Sequence, residues 1–329
     1  MSTNDPRFPL PPRFPLSNDP RPRSPYATGR TIPFVPAQQL PRHRYWLHLL
    51  LFLLTLITTS IVGADLAAEF ATGQPMTFDF SGYVKSWNDP GYLLTGLPFS
   101  ISLLVILMSH EMGHFITARY YDVNATLPYF LPAPSLIGTL GAFIRIRSVI
   151  VSKRVLFDIG IAGPLAGFVI LLPLLSAGVA LSKVIPGGAA HGDLIFGNPL
   201  LIKGFEAVLF PGVPEADLYL HPMARAAWVG LLATALNLMP IGQLDGGHIL
   251  YSVIGEKSKW VTRVAIALLL AMGYFFGALN WYLWAALLFF FGMRHPSVVD
   301  QRPIGQKRTW LAVLALTIFV VSFTPIPIR

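Results

Sequence analysis

Residues 109–114 read Ser-His-Glu-Met-Gly-His, within an apolar stretch from Ile101 to about Tyr120 whose composition suits a membrane span. On a helix, His110 and His114 are four positions apart and project from one face, one turn above the other. That spacing lets both imidazoles bind a single zinc ion while Glu111 between them serves as a general base. Ionisable groups at bilayer depth are costly, and a cluster of them marks a functional site.

Outside this stretch the chain has the composition of an integral membrane protein. Its 329 residues are 53% hydrophobic and 12% charged, with a mean hydropathy of +0.58. Soluble domains carry about 25% charged residues. The net charge of +8 is concentrated at the N-terminus, in Arg7, Arg13, Arg21, Arg23, Arg30, Arg42 and Arg44. Beside a span such an arm marks a cytoplasmic end and meets anionic lipid. No nucleic-acid partner is expected, because these residues have no folded scaffold. Cysteine is absent, so a metal must be held by His, Asp or Glu. A Pro/Arg-rich segment before the first apolar run, with no convincing cleavage site, does not read as a signal peptide.

The pattern predicts an all-α polytopic membrane protein with about seven transmembrane helices, six being the alternative. Residues 1–43 read as a disordered Pro/Arg-rich cytoplasmic arm, and 44–94 as a first span (Tyr45 to Ala64) with an acidic extracytoplasmic loop. Spans follow at Thr95–Tyr120, Val155–Leu181 and Pro222–Met239. The 30-residue run Val264–Met293 is too long for one untilted helix. It reads as two short helices turning near Gly277 to Asn280, and a last span covers Trp310–Thr324. Residues 124–152 are apolar but broken by Pro128, Pro132, Pro134, Gly138 and Gly141, so no continuous helix fits. They read as a re-entrant β-hairpin with a strand at Phe143 to Arg147. Arg145, Arg147, Lys153 and Arg154 then fall on the cytoplasmic side with Arg294, Arg302, Lys307 and Arg308.

A histidine pair needs a third ligand. Tyr120 stands six residues after His114, which excludes the metzincin arrangement. Asp158, Asp245 and His248 remain. Asp245 closes the run Asn237-Leu-Met-Pro-Ile-Gly-Gln-Leu-Asp245, where Pro240 interrupts the helix and glycines 242, 246 and 247 let the backbone bend. Asp158, near Lys153 and Arg154, reads as an ordinary ion pair, and His248 as a supporting residue.

His-Glu-x-x-His on one span, with Asn-x-x-Pro and Leu-Asp-Gly on a later one, resembles the site-2 protease family of intramembrane zinc metalloproteases. With Gly-Thr-Leu-Gly-Ala-Phe at 138–143, the chain is similar to the bacterial and plastid branch without a PDZ domain. The resemblance covers roughly 95–255, a three-span metalloprotease core, and gives no support to the N-terminal arm or, within the C-terminal spans of 256–329, to those after residue 260. It implies that His110, His114 and Asp245 hold one Zn2+ per chain, and that Glu111 and Asn237 are catalytic. It further implies that the strand at 142–147 clamps an extended substrate. The expected activity is cleavage of membrane proteins in or near their transmembrane segments. The expected partners are a transmembrane protein substrate, the lipid bilayer and a regulatory membrane partner. The expected location is a cell inner (plasma) membrane, or a plastid membrane in a photosynthetic eukaryote. A pseudoenzyme would lack Glu111 or a ligand, a transporter would show internal repeats, and a membrane desaturase would need several histidine clusters. None of these signatures is present.

Overall fold

The computed structural model describes residues 44–74, 81–187, 196–277, 279–292 and 298–327. The expected arm at 1–43 and Arg294 lie outside the described residues. The first helix, α1 (Tyr45–Thr72), continues two turns past the expected end at Ala64. Asp65 does not stop it, because its carboxylate accepts from the Tyr92 hydroxyl (2.8 Å) and lies 3.6 Å from Lys85 Nζ. The helix ends instead at Gly73, left-handed at φ 68°, whose N–H returns to the Glu69 carbonyl. Two short helices, α2 (Ser81–Asn88) and α3 (Tyr92–Thr95), lead into α4 (Leu97–Tyr120). Thr59 and Ser100 join hydroxyls across α1 and α4 at 2.5 Å, a pairing favoured where water is absent.

A β-hairpin follows, displaced from its expected strand. β1 (Tyr129–Pro132) pairs antiparallel with β2 (Thr139–Phe143), in the register Tyr129 to Phe143, Phe130 to Ala142 and Pro132 to Thr139. Of the expected strand 143–147, Phe143 belongs to β2 and Ile146 makes one isolated bridge with Ala125. Alternation located the element but not its centre, which is set by the turn at 133–138. The hairpin leans on α1 through β1: His48 Nδ1 donates to the Pro128 carbonyl (3.0 Å), and Phe52 meets Phe130 edge to face. At its turn, the Thr58 hydroxyl donates to the Gly138 carbonyl (2.6 Å).

Helix α5 (Lys153–Ala180) crosses α4 and then meets a two-residue ladder of β3 (Lys183–Val184) with β4 (Leu218–Tyr219). Between them lies the amphipathic α6 (Leu200–Leu209). Next, α7 (Pro222–Leu238) stops one residue before the Met239-Pro240 step, and α8 (Asp245–Ile254) and α9 (Ser258–Phe276) form a nearly continuous helical stretch. The long apolar run breaks where expected: Gly277 adopts φ 65°, and α10 (Leu279–Gly292) runs back along α9. Its two ends sit on one side. Gly255 lies beside Lys153, and Asp300 pairs with Ser152. The last helix is α11 (Gln306–Ser322).

Among the described residues, four helical stretches are long and apolar enough to cross a membrane: α1, α4, α5 and Asp245–Phe276. α7 and α11, at 17 residues each, and α10, at 14, are shorter than that. The apolar core joins α5, α6 and α7 through Leu171, Leu175, Ile202, Trp228 and Leu231.

Candidate metal centre

Three helices place the site. His110, Glu111 and His114 are buried on α4, Asn237 sits in the last turn of α7, and Asp245 opens α8. The chain folds tightly between Asn237 and Asp245 because it must bring α8 back against α7. A Cβ at Gly246 would lie 2.0 Å from the Leu238 carbonyl, and one at Gly247 would lie 2.3 Å from that of Gly242. No side chain fits at either glycine.

His110 Nε2 lies 3.2 Å from Asp245 Oδ2, His114 Nε2 lies 3.3 Å from the same oxygen, and the two Nε2 atoms are 3.2 Å apart. A hydrogen-bonded chain would give two short contacts and a longer third. Three nearly equal sides are what donors on one tetrahedral ion require. Zinc–ligand bonds of about 2.0–2.1 Å put such donors roughly 3.3 Å apart. Two imidazoles and a carboxylate are also a donor set that zinc accepts with a fourth position open. The residues present fit zinc.

The orientation of His114 is fixed from behind. Its Nδ1 pairs with the Ile159 carbonyl at 2.7 Å, which makes Nδ1 the protonated nitrogen and turns the Nε2 lone pair toward the triangle. This works because α4 and α5 touch backbone to backbone. A Cβ at Gly163 would fall 2.0 Å from His114 Nε2, and one at Gly113 would fall 2.4 Å from the Ala162 carbonyl. Glu111, next to His110 on α4, is buried and borders the same cavity as the triangle. The Asn237 amide lies 3.2 Å from His110 Nε2, beside the triangle.

Two cavities reach this cluster. The larger, about 750 Å³, is lined by His110, Glu111, His114, Phe143, His248 and Val298 among others. The smaller, about 170 Å³, reaches His110, Glu111 and Asn237 between β2 and α10, past Leu140, Trp284 and Leu288.

A family model described as Peptidase family M50 matches residues 98–279, more than half of the chain. The chain belongs to this family. Several relatives of the M50 chain carry protease names. A "Probable zinc metalloprotease EGY1, chloroplastic" of Oryza sativa subsp. japonica is 31% identical over 301 residues, which is 87% of this chain and 51% of that protein. Its Arabidopsis thaliana namesake is 28% identical over 307 residues, 86% of this chain and 53% of the relative. "Probable zinc metalloprotease EGY2, chloroplastic" of Arabidopsis thaliana is 28% identical over 251 residues, 75% and 45% respectively. The M50 chain thus spans about half the length of the curated relatives it matches.

The structure brings together all five residues singled out in the sequence, His110, Glu111, His114, Asn237 and Asp245. It places His248 on the cavity wall, three residues after Asp245. Asp158 does form an ion pair, but with Arg308 (2.6 Å), not with Lys153 or Arg154. Lys153 and Arg154 are near Asp158 in sequence, but Arg308 reaches it from α11, a contact no local pattern shows. Sequence reasoning also missed the Ile159 carbonyl, Trp284 and Leu288. The first is a backbone group, which leaves no mark on side-chain identity.

Proposed function

We propose that this chain is an intramembrane zinc endopeptidase that cuts membrane proteins in or near their transmembrane segments. The observation that carries this reading is the equal-sided triangle of His110, His114 and Asp245 with Glu111 beside it, on an apolar helix. When bound there, zinc supplies an activated water and polarises a carbonyl. Glu111 would be the base for the attacking water and the acid for the leaving amine. The Asn237 amide donates a hydrogen bond where negative charge develops on the scissile carbonyl oxygen. The stretch from β2 to Ile146 offers backbone groups to an extended peptide, and Ile144 and Ile146 line the same cavity as Glu111. A helical substrate must unwind first, since its peptide groups are otherwise bonded within the helix. The apolar lining of the larger cavity, with Phe143, Ile144, Ile146, Val149 and Leu244, suits large aliphatic or aromatic residues beside the cut.

The topology that fits this chemistry has seven spans with the N-terminus on the side of the basic loops, and the catalytic unit at 95–255. A plastid membrane is its location, supported by the chloroplastic relatives. The test is Glu111→Gln in the full chain, assayed on a single-span protein in detergent. It retains zinc while cleavage falls by about 10²- to 10⁴-fold, the worth of a general base. Near-wild-type cleavage by a zinc-loaded variant would refute the assignment.

A further inference from the structure

Two cross-ties join α4 to α5 behind the metal centre. The inner one is His114 Nδ1 on the Ile159 carbonyl, at 2.7 Å. The outer one is the Tyr121 hydroxyl donating to Asp158 Oδ2, at 2.5 Å. Asp158 and Ile159 are consecutive, so a single turn of α5 anchors both. That turn is gripped from a third helix. Arg308 of α11 donates from Nε to Asp158 Oδ1 (2.8 Å) and from Nη2 to Oδ2 (2.6 Å), and Nη1 reaches the Ile304 carbonyl at 3.3 Å.

The strand-like segment before α11 follows the start of α5 in the same way. The Asp300 N–H donates to the Val151 carbonyl (2.8 Å), the Lys153 N–H to the Asp300 carbonyl (3.3 Å), and Arg154 Nε to the Pro303 carbonyl (3.0 Å). Val298, at the head of this segment, is buried on the wall of the larger cavity. Arg308 and this segment lie beyond the residues matched by the family model.

We propose that Arg308, acting through Asp158, is a positioning residue for the metal centre. Its planar fork holds both carboxylate oxygens, so it fixes rotation as well as distance, which a single-point cation does not do. With Asp158 fixed, the adjacent Ile159 carbonyl keeps its aim at His114 Nδ1, and His114 keeps the tautomer and angle a zinc ligand needs. Without the guanidinium, the half-buried Asp158 carboxylate loses its counter-charge while Tyr121 still draws on it. The turn then shifts, and the carbonyl shifts with it. α11 thereby acts on the metal without touching it.

The inference rests on the zinc reading above, and the experiment separates the two. Full-length wild type, Arg308→Gln, Arg308→Lys and Ile318→Ala proteins are purified in detergent, loaded with zinc and titrated with a chelator. The visible spectrum of the cobalt-substituted form is recorded in parallel. Ile318→Ala is the control, since Ile318 packs α11 into the cluster with Phe157 and Leu238 and makes no polar tie to Asp158. Direct outer partners of a ligand are worth about 10- to 100-fold in metal affinity. Arg308 acts one link further out, so Arg308→Gln lowers zinc affinity by about 3- to 10-fold and alters the cobalt spectrum. Arg308→Lys falls between it and wild type, and the control keeps wild-type affinity at an equal or greater loss of melting temperature. Wild-type affinity in Arg308→Gln, or an equal loss in the control, overturns the proposal. If Arg308→Gln is not recovered folded, Arg308→Lys against the control decides by the same rule. A wild type that binds no zinc refutes the zinc reading itself.

Discussion

The α4–α5 contact and the α9–α10 contact are both built from apolar sequence and differ in kind. On α5, 56% of the most apolar window is buried, against 17% for the stretch ending in α9. Gly113 and Gly163 bring α4 and α5 so close that a single added carbon would strike a carbonyl or an imidazole. Among the described residues, α9 and α10 come this close at Gly273, under the Tyr282 ring. Their outer faces leave Tyr274 76%, Phe275 79% and Leu279 79% exposed. Lipid tails are as apolar as leucine, so hydrophobicity alone does not say which helix faces protein. Small residues at the crossing do.

The strongest way to break this contrast is to disturb the inner contact and see no effect. Asn237→Ala, at the α7 edge of the tight region, should lower kcat for a transmembrane substrate by about 10²- to 10³-fold with zinc retained. Steady-state cleavage with metal analysis measures both. Next comes Gly163→Ala, whose methyl would fall 2.0 Å from His114 Nε2. Zinc affinity should drop about 10- to 100-fold, read by chelator competition, and an unchanged value would mean that α4 and α5 part at no cost. In the outer pair, Tyr274→Ala and Phe275→Ala should change stability by less than about 0.5 kcal/mol in detergent thermal melts. A larger loss would show that this face is covered by protein.

A pH effect of comparably small size sharpens where the tight region ends. Glu206 on α6 accepts from the Asn198 amide (2.8 Å), and burial, with Glu215 nearby, pushes its carboxyl up to about 7. A raised folded-state value favours the protonated form. Its contribution is therefore complete below about pH 4.5 and is lost as pH rises through 7. Wild type should melt at a lower temperature at pH 8 than at pH 5, and Glu206→Gln should flatten that slope. The difference should stay under about 1 kcal/mol, because solvent screens this partly exposed group.

The metal triangle was legible because its chemistry is carried by side chains at fixed spacing. Two imidazoles one turn apart and a carboxylate after a Pro/Gly break announce themselves in a linear string. The hairpin was legible only as an interruption. Pro128, Pro132 and Gly138 exclude a helix, but which residues pair depends on the turn at 133–138 and on α1, 80 positions away at the Thr58 to Gly138 contact. The end of α1 was misread for a related reason. Asp65 looks like a boundary until Tyr92 and Lys85 come to meet it. Asp158 was assigned neighbours in sequence when its partner lies 150 positions on. Groups whose partners are distant or belong to the backbone are those that periodicity cannot reach.

The ties between α1 and the hairpin set the size of what folds together. His48, Phe52 and Thr58 hold β1 and the turn, yet all three precede residue 98, where the family match begins. The recognisable segment is therefore narrower than the cooperative unit. A fragment cut at the edges of the match would keep His110, His114 and Asp245 and lose the buttress of β1, so excising the matched segment is not the same as excising the folded unit.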